Sequence, residues 1–303
     1  MKFHQTLLAR RSYFSFIFWG VILLAIFLFF KIVLGGGEKI LLSRTNLLKV
    51  DWPTDLEFCG EKVPLDDFYV RESWEKEFLV TLASDYQNIL YLKRAPKYFP
   101  TIESELKQRG LPDDLKYLAV AESALREDVT SSAGAVGLWQ FVPATAEKYG
   151  LRVDDAIDER NNFEKSTPAA LDYLEFLHEK FSSWTLAAAA YNSGENGLAR
   201  RIDEQLVDDY YDLYLNDETS RYLFRILAVK EIMRDPEKYG YELDDGDYFA
   251  WPKFAVQTVV GPVADLAQFA SENATTLRAI KELNPWIVGN SLPSGSFDVK
   301  IAR

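Results

Sequence analysis

From Tyr13 to Phe30 the chain carries no charged side chain, and after Lys31 the apolar run resumes through Leu34. In hydrocarbon every backbone amide must bond within the chain, so a stretch of this length and character is restricted to one bilayer-spanning helix. Lys2, Arg10 and Arg11 precede it and no acidic residue occurs before Glu38, a bias that places residues 1–12 in the cytoplasm and the remainder outside. A cleaved signal peptide is the alternative, but the exit Gly35-Gly36-Gly37 offers no A-x-A cleavage pattern. The expectation is an uncleaved single-pass anchor over residues 13–34 in the cytoplasmic membrane. All that follows would then lie in a periplasm or an equivalent wall space.

At 303 residues the chain has room for one large or two small domains beyond that anchor. A net charge of -12 argues against nucleic acid, which requires a basic footprint, and the acidic crowd between Asp203 and Asp247 reads as a solvated helical surface. One cysteine excludes an internal disulfide; Cys59 lies far from the apolar run and reads as a buried thiol. With two histidines there is no zinc-ligand cluster, and the acidic runs lack the calcium-loop pattern, so no metal or organic cofactor is expected.

Residues 35–99 read as a linker followed by an N-terminal helical region, with helical spacing from Trp74 to Leu92. From Pro100 to about residue 240 the pattern is helix and short loop throughout. Pro100 to Arg109 ends on Gly110, Pro143 opens a helix to Tyr149, Pro168 opens one to Phe181, and an Ala-rich helix runs from Trp184 to Tyr191. A last helix from Glu218 stops at Arg234, before Pro236. After Trp251-Pro252 the period changes: two strands, at 254–260 and around Phe297 to Ile301, enclose two short helices, a small βααβ module over residues 252–303. The fold class is therefore mainly α.

Within this frame the run LPDDLKYLAVAESAL stands out. Pro112 suits a first helical turn, Asp113 and Asp114 favour its positive end, and Leu115, Leu118 and Glu122 recur on one side. Glu122 is thus directed inward near a helix C-terminus, where burial and the helix dipole both disfavour its ionised form. Such a carboxyl can donate a proton near neutral pH; a partly buried Glu in a salt bridge fits the same spacing.

Four segments in order, Glu122-Ser123, Ser131 with Gly134 to Phe141, Ala190 to Gly194, and Glu218 to Tyr222, resemble the motifs of soluble-lytic-transglycosylase domains. The membrane-bound lytic murein transglycosylase D group is the nearest likeness, and Phe58 to Leu65 and Leu111 to Leu118 are similar to it as well. The resemblance spans about residues 58–240 and implies a lysozyme-like helical catalytic domain, assigned to residues 100–240. It implies cleavage of the β-1,4 bond between N-acetylmuramic acid and N-acetylglucosamine in peptidoglycan glycan strands, ending in a 1,6-anhydro sugar. Glu122 corresponds to the single catalytic residue, acid first and base second, so no partner carboxylate is required, unlike most glycosidases. Glu127 and Asp128 are read as exposed loop charges.

The resemblance also assigns substrate contacts. Ser123 and Ser131 correspond to serines near the acid, although a helix-end or turn hydroxyl fits each equally. Gln140 has amide groups suited to an N-acetyl or hydroxyl group, and Trp139 suits either a sugar face or the core. Tyr191 corresponds to a tyrosine whose hydroxyl approaches the acid, Asn192 follows it, and Glu218 and Tyr222, one turn apart, line the cleft from the last helix. The C-terminal module more loosely resembles a LysM glycan-binding repeat, with Gly261-Pro262-Val263-Ala264-Asp265 where Gly-Asp-Thr is usual. Glycan binding and simple packing both fit it. A non-catalytic wall-binding scaffold and a lysozyme-type hydrolase are the competing functions.

Overall fold

The structure, a computed structural model, describes residues 52–303. No helix among these is long and apolar enough to cross a membrane. The span expected over residues 13–34 lies outside the described residues, as does the cytoplasmic segment 1–12.

The described chain begins with a hairpin, β1 (Glu57–Phe58) and β2 (Glu61–Lys62), inside the stretch expected as linker. Cys59 and Gly60 both take positive φ, 53° and 82°, which a two-residue turn matched to strand twist demands. The hairpin is pinned at several points. The Glu61 carboxylate accepts the Thr185 N–H and the Ser183 hydroxyl, both at 3.0 Å, and also the Trp184 N–H. Asp114 accepts the Cys59 N–H and the Lys230 ammonium, each at 2.7 Å.

Two helices follow, α1 (Phe68–Leu82) and α2 (Asp85–Arg109). The helical spacing from Trp74 to Leu92 spans the break between them at Ala83-Ser84. Pro100, expected to open a helix, sits inside α2 together with Pro96. Each proline deletes one helical hydrogen bond, and burial of Leu92, Tyr98, Ile102 and Leu106 along one stripe carries the helix past both. Pro168 is likewise interior to α5 (Phe163–Phe181), whose start is set by Asn162, its side chain accepting the Lys165 N–H.

Between these lie α3 (Lys116–Ser123) and α4 (Pro143–Lys148). Next come α6 (Trp184–Ser193), α7 (Glu195–Gln205) and α8 (Asp217–Arg234). The centre is α8: α1, α3 and α6 pack against it, and Tyr222, Leu223, Ile226, Leu227 and Val229 are buried there. In α6, Ala187 to Ala190 are all buried, and their small side chains let it seat closely between α5 and α8. The described chain is mainly helical, with the strands concentrated at its end.

There, β3 (Phe254–Val263), α9 (Leu266–Glu272), α10 (Leu277–Leu283) and β4 (Leu292–Ala302) form the βααβ order. The strands are antiparallel, Phe254 opposite Ala302 and Gly261 opposite Gly295, with a bulge before Val263. Alternate residues Val299 and Ile301 turn inward with Val259 onto Leu266, Ile280 and Trp286. Ile157, from the loop between α4 and α5, completes this core. The backbone joins the two regions there: the Asp158 N–H bonds the Trp286 carbonyl at 2.8 Å, and the Val288 N–H bonds that of Ala156 at 2.9 Å.

Candidate active site

Glu122 is the penultimate residue of α3. The helix ends on Ala124 and the chain reverses through Leu125, with φ of 57° and 56°. One left-handed residue is common at a helix end; two in succession, neither glycine, are costly and persist only where packing over-determines them. Here Leu125 is buried, and Arg94 of α2 donates to the Ala124 carbonyl at 3.0 Å. Burial pushes the Glu122 carboxyl up to about 7, and the nearby Glu218 charge acts in the same direction. A hydrogen bond from Tyr222 and the positive charge of Arg225 oppose that rise.

The Tyr222 hydroxyl, from α8, donates to Glu122 Oε1 at 2.5 Å. Tyr191, expected to reach the acid, instead donates to the Trp139 carbonyl at 2.7 Å. Its place near the end of α6 points it at the loop preceding α4, and the phenol touching Glu122 comes from α8. Tyr191 remains close enough for the Glu122 charge to add to the burial that holds its hydroxyl protonated.

That loop is a tight ribbon, with bridges pairing Val136 with Thr130 and with Phe141. Gly137 is obligatory: its φ is 83°, and a Cβ there would lie 2.0 Å from the Arg160 carbonyl oxygen. Gln140, at φ 49°, spends its amide donors on the Gly137 and Val129 carbonyls at 2.8 and 3.2 Å. Ser131 Oγ accepts the Ala135 N–H at 3.1 Å and closes the turn. Asn192 accepts the Thr219 hydroxyl at 3.0 Å and ties α6 to α8.

Residues 99–212 match the family model described as Transglycosylase SLT domain, and residues 256–302 match the Soluble lytic transglycosylase C-terminal LysM-like domain. This chain carries a transglycosylase SLT domain. Membrane-bound lytic murein transglycosylase D of Escherichia coli K12 is 30% identical over 66% of this chain and 44% of its own length. A putative tributyltin chloride resistance protein of Alteromonas is 36% identical over 36% of this chain and 53% of its own. The chain therefore spans about half the length of these relatives or less. Among solved structures, the 70 kDa soluble lytic transglycosylase of Escherichia coli aligns at 18% identity and a TM-score of 0.37, covering 55% of this chain and 29% of that one.

Several expected contacts are placed differently. Trp139 is fully enclosed and its indole N–H donates to Thr167 at 3.0 Å, so its ring is core and only its carbonyl faces the site. Ser123 is buried, bonding the Ala119 carbonyl and the Arg126 N–H, a helix-end hydroxyl without a free face. Glu218 is exposed in the first turn of α8, one turn before Tyr222. Glu127 is not an exposed charge. It is buried, accepts the Tyr98 hydroxyl at 3.0 Å, and is pushed up to about 7 by burial, while Asp128 is exposed and paired with Arg126. Four residues separate it from Glu122, a spacing with no helical meaning once the chain reverses at Leu125.

Two contributors lacked a motif. Arg160, buried beside Asp158 in a bidentate pair, donates to the Gly134 and Phe141 carbonyls at 3.0 and 3.1 Å and fixes both ends of the ribbon. Arg225, one turn beyond Tyr222 on α8, presents the positive charge felt by Glu122. Helical spacing from Glu218 through Tyr222 was the available signal for Arg225; Arg160 lies in a loop and had none. Among the described residues no group of three or more His, Cys, Asp and Glu is placed to hold a metal ion.

Proposed function

We propose that this protein is a peptidoglycan lytic transglycosylase that cuts between N-acetylmuramic acid and N-acetylglucosamine and leaves a 1,6-anhydro end. The observation that carries the reading is Glu122 itself: a carboxyl bonded by one phenol and by no other carboxyl among the described residues, and pushed up to about 7 by burial. Protonated Glu122 donates to the glycosidic oxygen as the bond to the muramic C1 breaks. The resulting carboxylate takes the proton from the muramic O6 as that oxygen closes on C1, which restores the acid without water. Tyr222 orients the carboxyl and steadies the anionic form between the two transfers. Around the acid, Gln140, with Ser131, Tyr191, Asn192 and Glu218, lines the glycan groove.

The domain organisation proposed is an anchor at residues 13–34, a catalytic part over 100–240 and a LysM-like module over 252–303. The two matched domain families and the relatives named membrane-bound murein transglycosylases support this arrangement and an envelope location. Digestion of purified sacculi by the full chain, followed by mass spectrometry of the soluble products, tests the reaction. Anhydromuropeptides are expected; reducing-end muropeptides would identify a hydrolase, and no product would identify a binding protein.

A further inference from the structure

A cleft with a volume of about 730 Å³ lies between α2, the segment Leu125 to Asp128, the segment Tyr248 to Trp251 and the end of α10. Lys97 and Arg94 enter it from α2, Arg126 from the segment after Glu122, and Phe249 and Trp251 form its aromatic side. Lys97 is half-buried and makes no ion pair with any described residue; its ammonium lies 3.8 Å from the centre of the Trp251 ring. Arg94 and Arg126 are near enough to repel one another, with Asp128, bonded to Arg126, the exposed counter-charge. Glu127 lies at the edge of the cleft, turned onto the Tyr98 hydroxyl. Lys281 and Glu282 also border it but are committed, Lys281 to the carbonyls of Ile287, Val288 and Gly289 and Glu282 to Arg278.

Cations gathered in this way stand out in a chain of net charge -12. Glu127 and Asp128 act on Lys97 from a distance, but neither bonds it, since Glu127 accepts the Tyr98 hydroxyl and Asp128 pairs with Arg126; a ring face compensates only part of the cost of desolvating the ammonium. The missing partner is an anion. Phe249 is exposed at 42%, an apolar face beside those cations. Together they suit a ligand that carries a carboxylate next to an uncharged, partly apolar body. One wall of the cleft, Leu125 to Asp128, is the segment that follows Glu122 directly in the chain.

Resting on the lytic transglycosylase reading of Glu122, we propose that this cleft is an accessory subsite for a carboxylate on the peptide stems of the glycan, held by Lys97 with Arg94 and Arg126. The subsite makes the enzyme prefer peptide-bearing strands to bare ones.

Lys97→Met tests it, since methionine keeps the apolar stem over Trp251 and removes the charge. Cleavage is measured on peptide-bearing strands and on strands stripped of peptide by an amidase. The parent is expected to favour the former, and Lys97→Met to lose about tenfold in kcat/KM on it alone, the scale of one hydrogen bond to a charged group. Equal losses on both substrates, or none on either, would overturn the subsite. Titration calorimetry with a soluble disaccharide tripeptide, using the Glu122→Gln protein, separates the two claims. Binding that Lys97→Met weakens about tenfold, and that amidation of the peptide carboxylates weakens equally, supports the subsite even if the parent proves inactive on sacculi. Cleavage of sacculi with no such binding rejects the subsite and leaves the reaction standing.

Discussion

Glu122 ionises late because its environment is dry, and the proposed chemistry depends on that lateness. As the acid it must be protonated when substrate binds, so kcat/KM is expected to fall as pH rises through about 7. Tyr222 opposes the rise in its pKa. Tyr222→Phe should therefore move the falling limb to higher pH and lower kcat about tenfold, measured as a pH–rate profile beside the parent. A limb that stays in place would deny Tyr222 its bond to the acid. Glu127 tests the same physics away from the reaction. Its folded value lies near 7 against an ordinary 4.5, so the folded state holds a proton that the unfolded state releases. The stability it contributes is present below about pH 4.5 and is lost as pH rises through about 7. Glu127→Gln removes that loss: its Tm should gain on the parent between about pH 5 and pH 8, with a ceiling of about 3 kcal/mol. The inward address of Glu122 was legible from helical spacing. That of Glu127 was not, because it depends on two left-handed residues no side-chain pattern announces.

The elements around the acid are a short helix, a ribbon and the end of an Ala-rich helix, each held by contacts from distant sequence. Gly137→Ala puts a methyl into the Arg160 carbonyl at a φ that disfavours any side chain. It should destabilise by about 2 kcal/mol or more, read by denaturant unfolding, and reduce activity further than stability alone predicts. An unchanged midpoint would mean the ribbon is not seated on Arg160. Pro143 opens α4 as expected, whereas Pro100 and Pro168 lie inside α2 and α5, because burial of a long stripe outweighs one missing bond per proline. The helix α7 went unread; Leu198 is its only buried residue. The motif segments were legible as a set, yet the fate of each side chain was decided by partners they do not specify. Thr167 claims the Trp139 indole, the Trp139 carbonyl claims Tyr191, and Ala119 claims Ser123.

In the described molecule the C-terminal module is packed into the helical part through Ile157, whose neighbour Asp158 holds Arg160 and so the ribbon. Ile157→Ala should cost about 2–4 kcal/mol, and unfolding followed separately by module and helical probes should shift together. A shift confined to the module would show that its core is independent of the site. The acidic balance and the scarcity of cysteine and histidine narrowed the molecule's partners from composition alone, but the cation cluster at Lys97 emerges only when α2, the Glu127 segment and the approach to β3 meet. The central claim is that one carboxyl, working twice, cuts a wall glycan. The direct measurement is mass spectrometry of the products released from sacculi by the full chain and by its Glu122→Gln variant. The parent should release 1,6-anhydromuropeptides and the folded variant none; anhydro products from the variant, or reducing-end products from the parent, would contradict it.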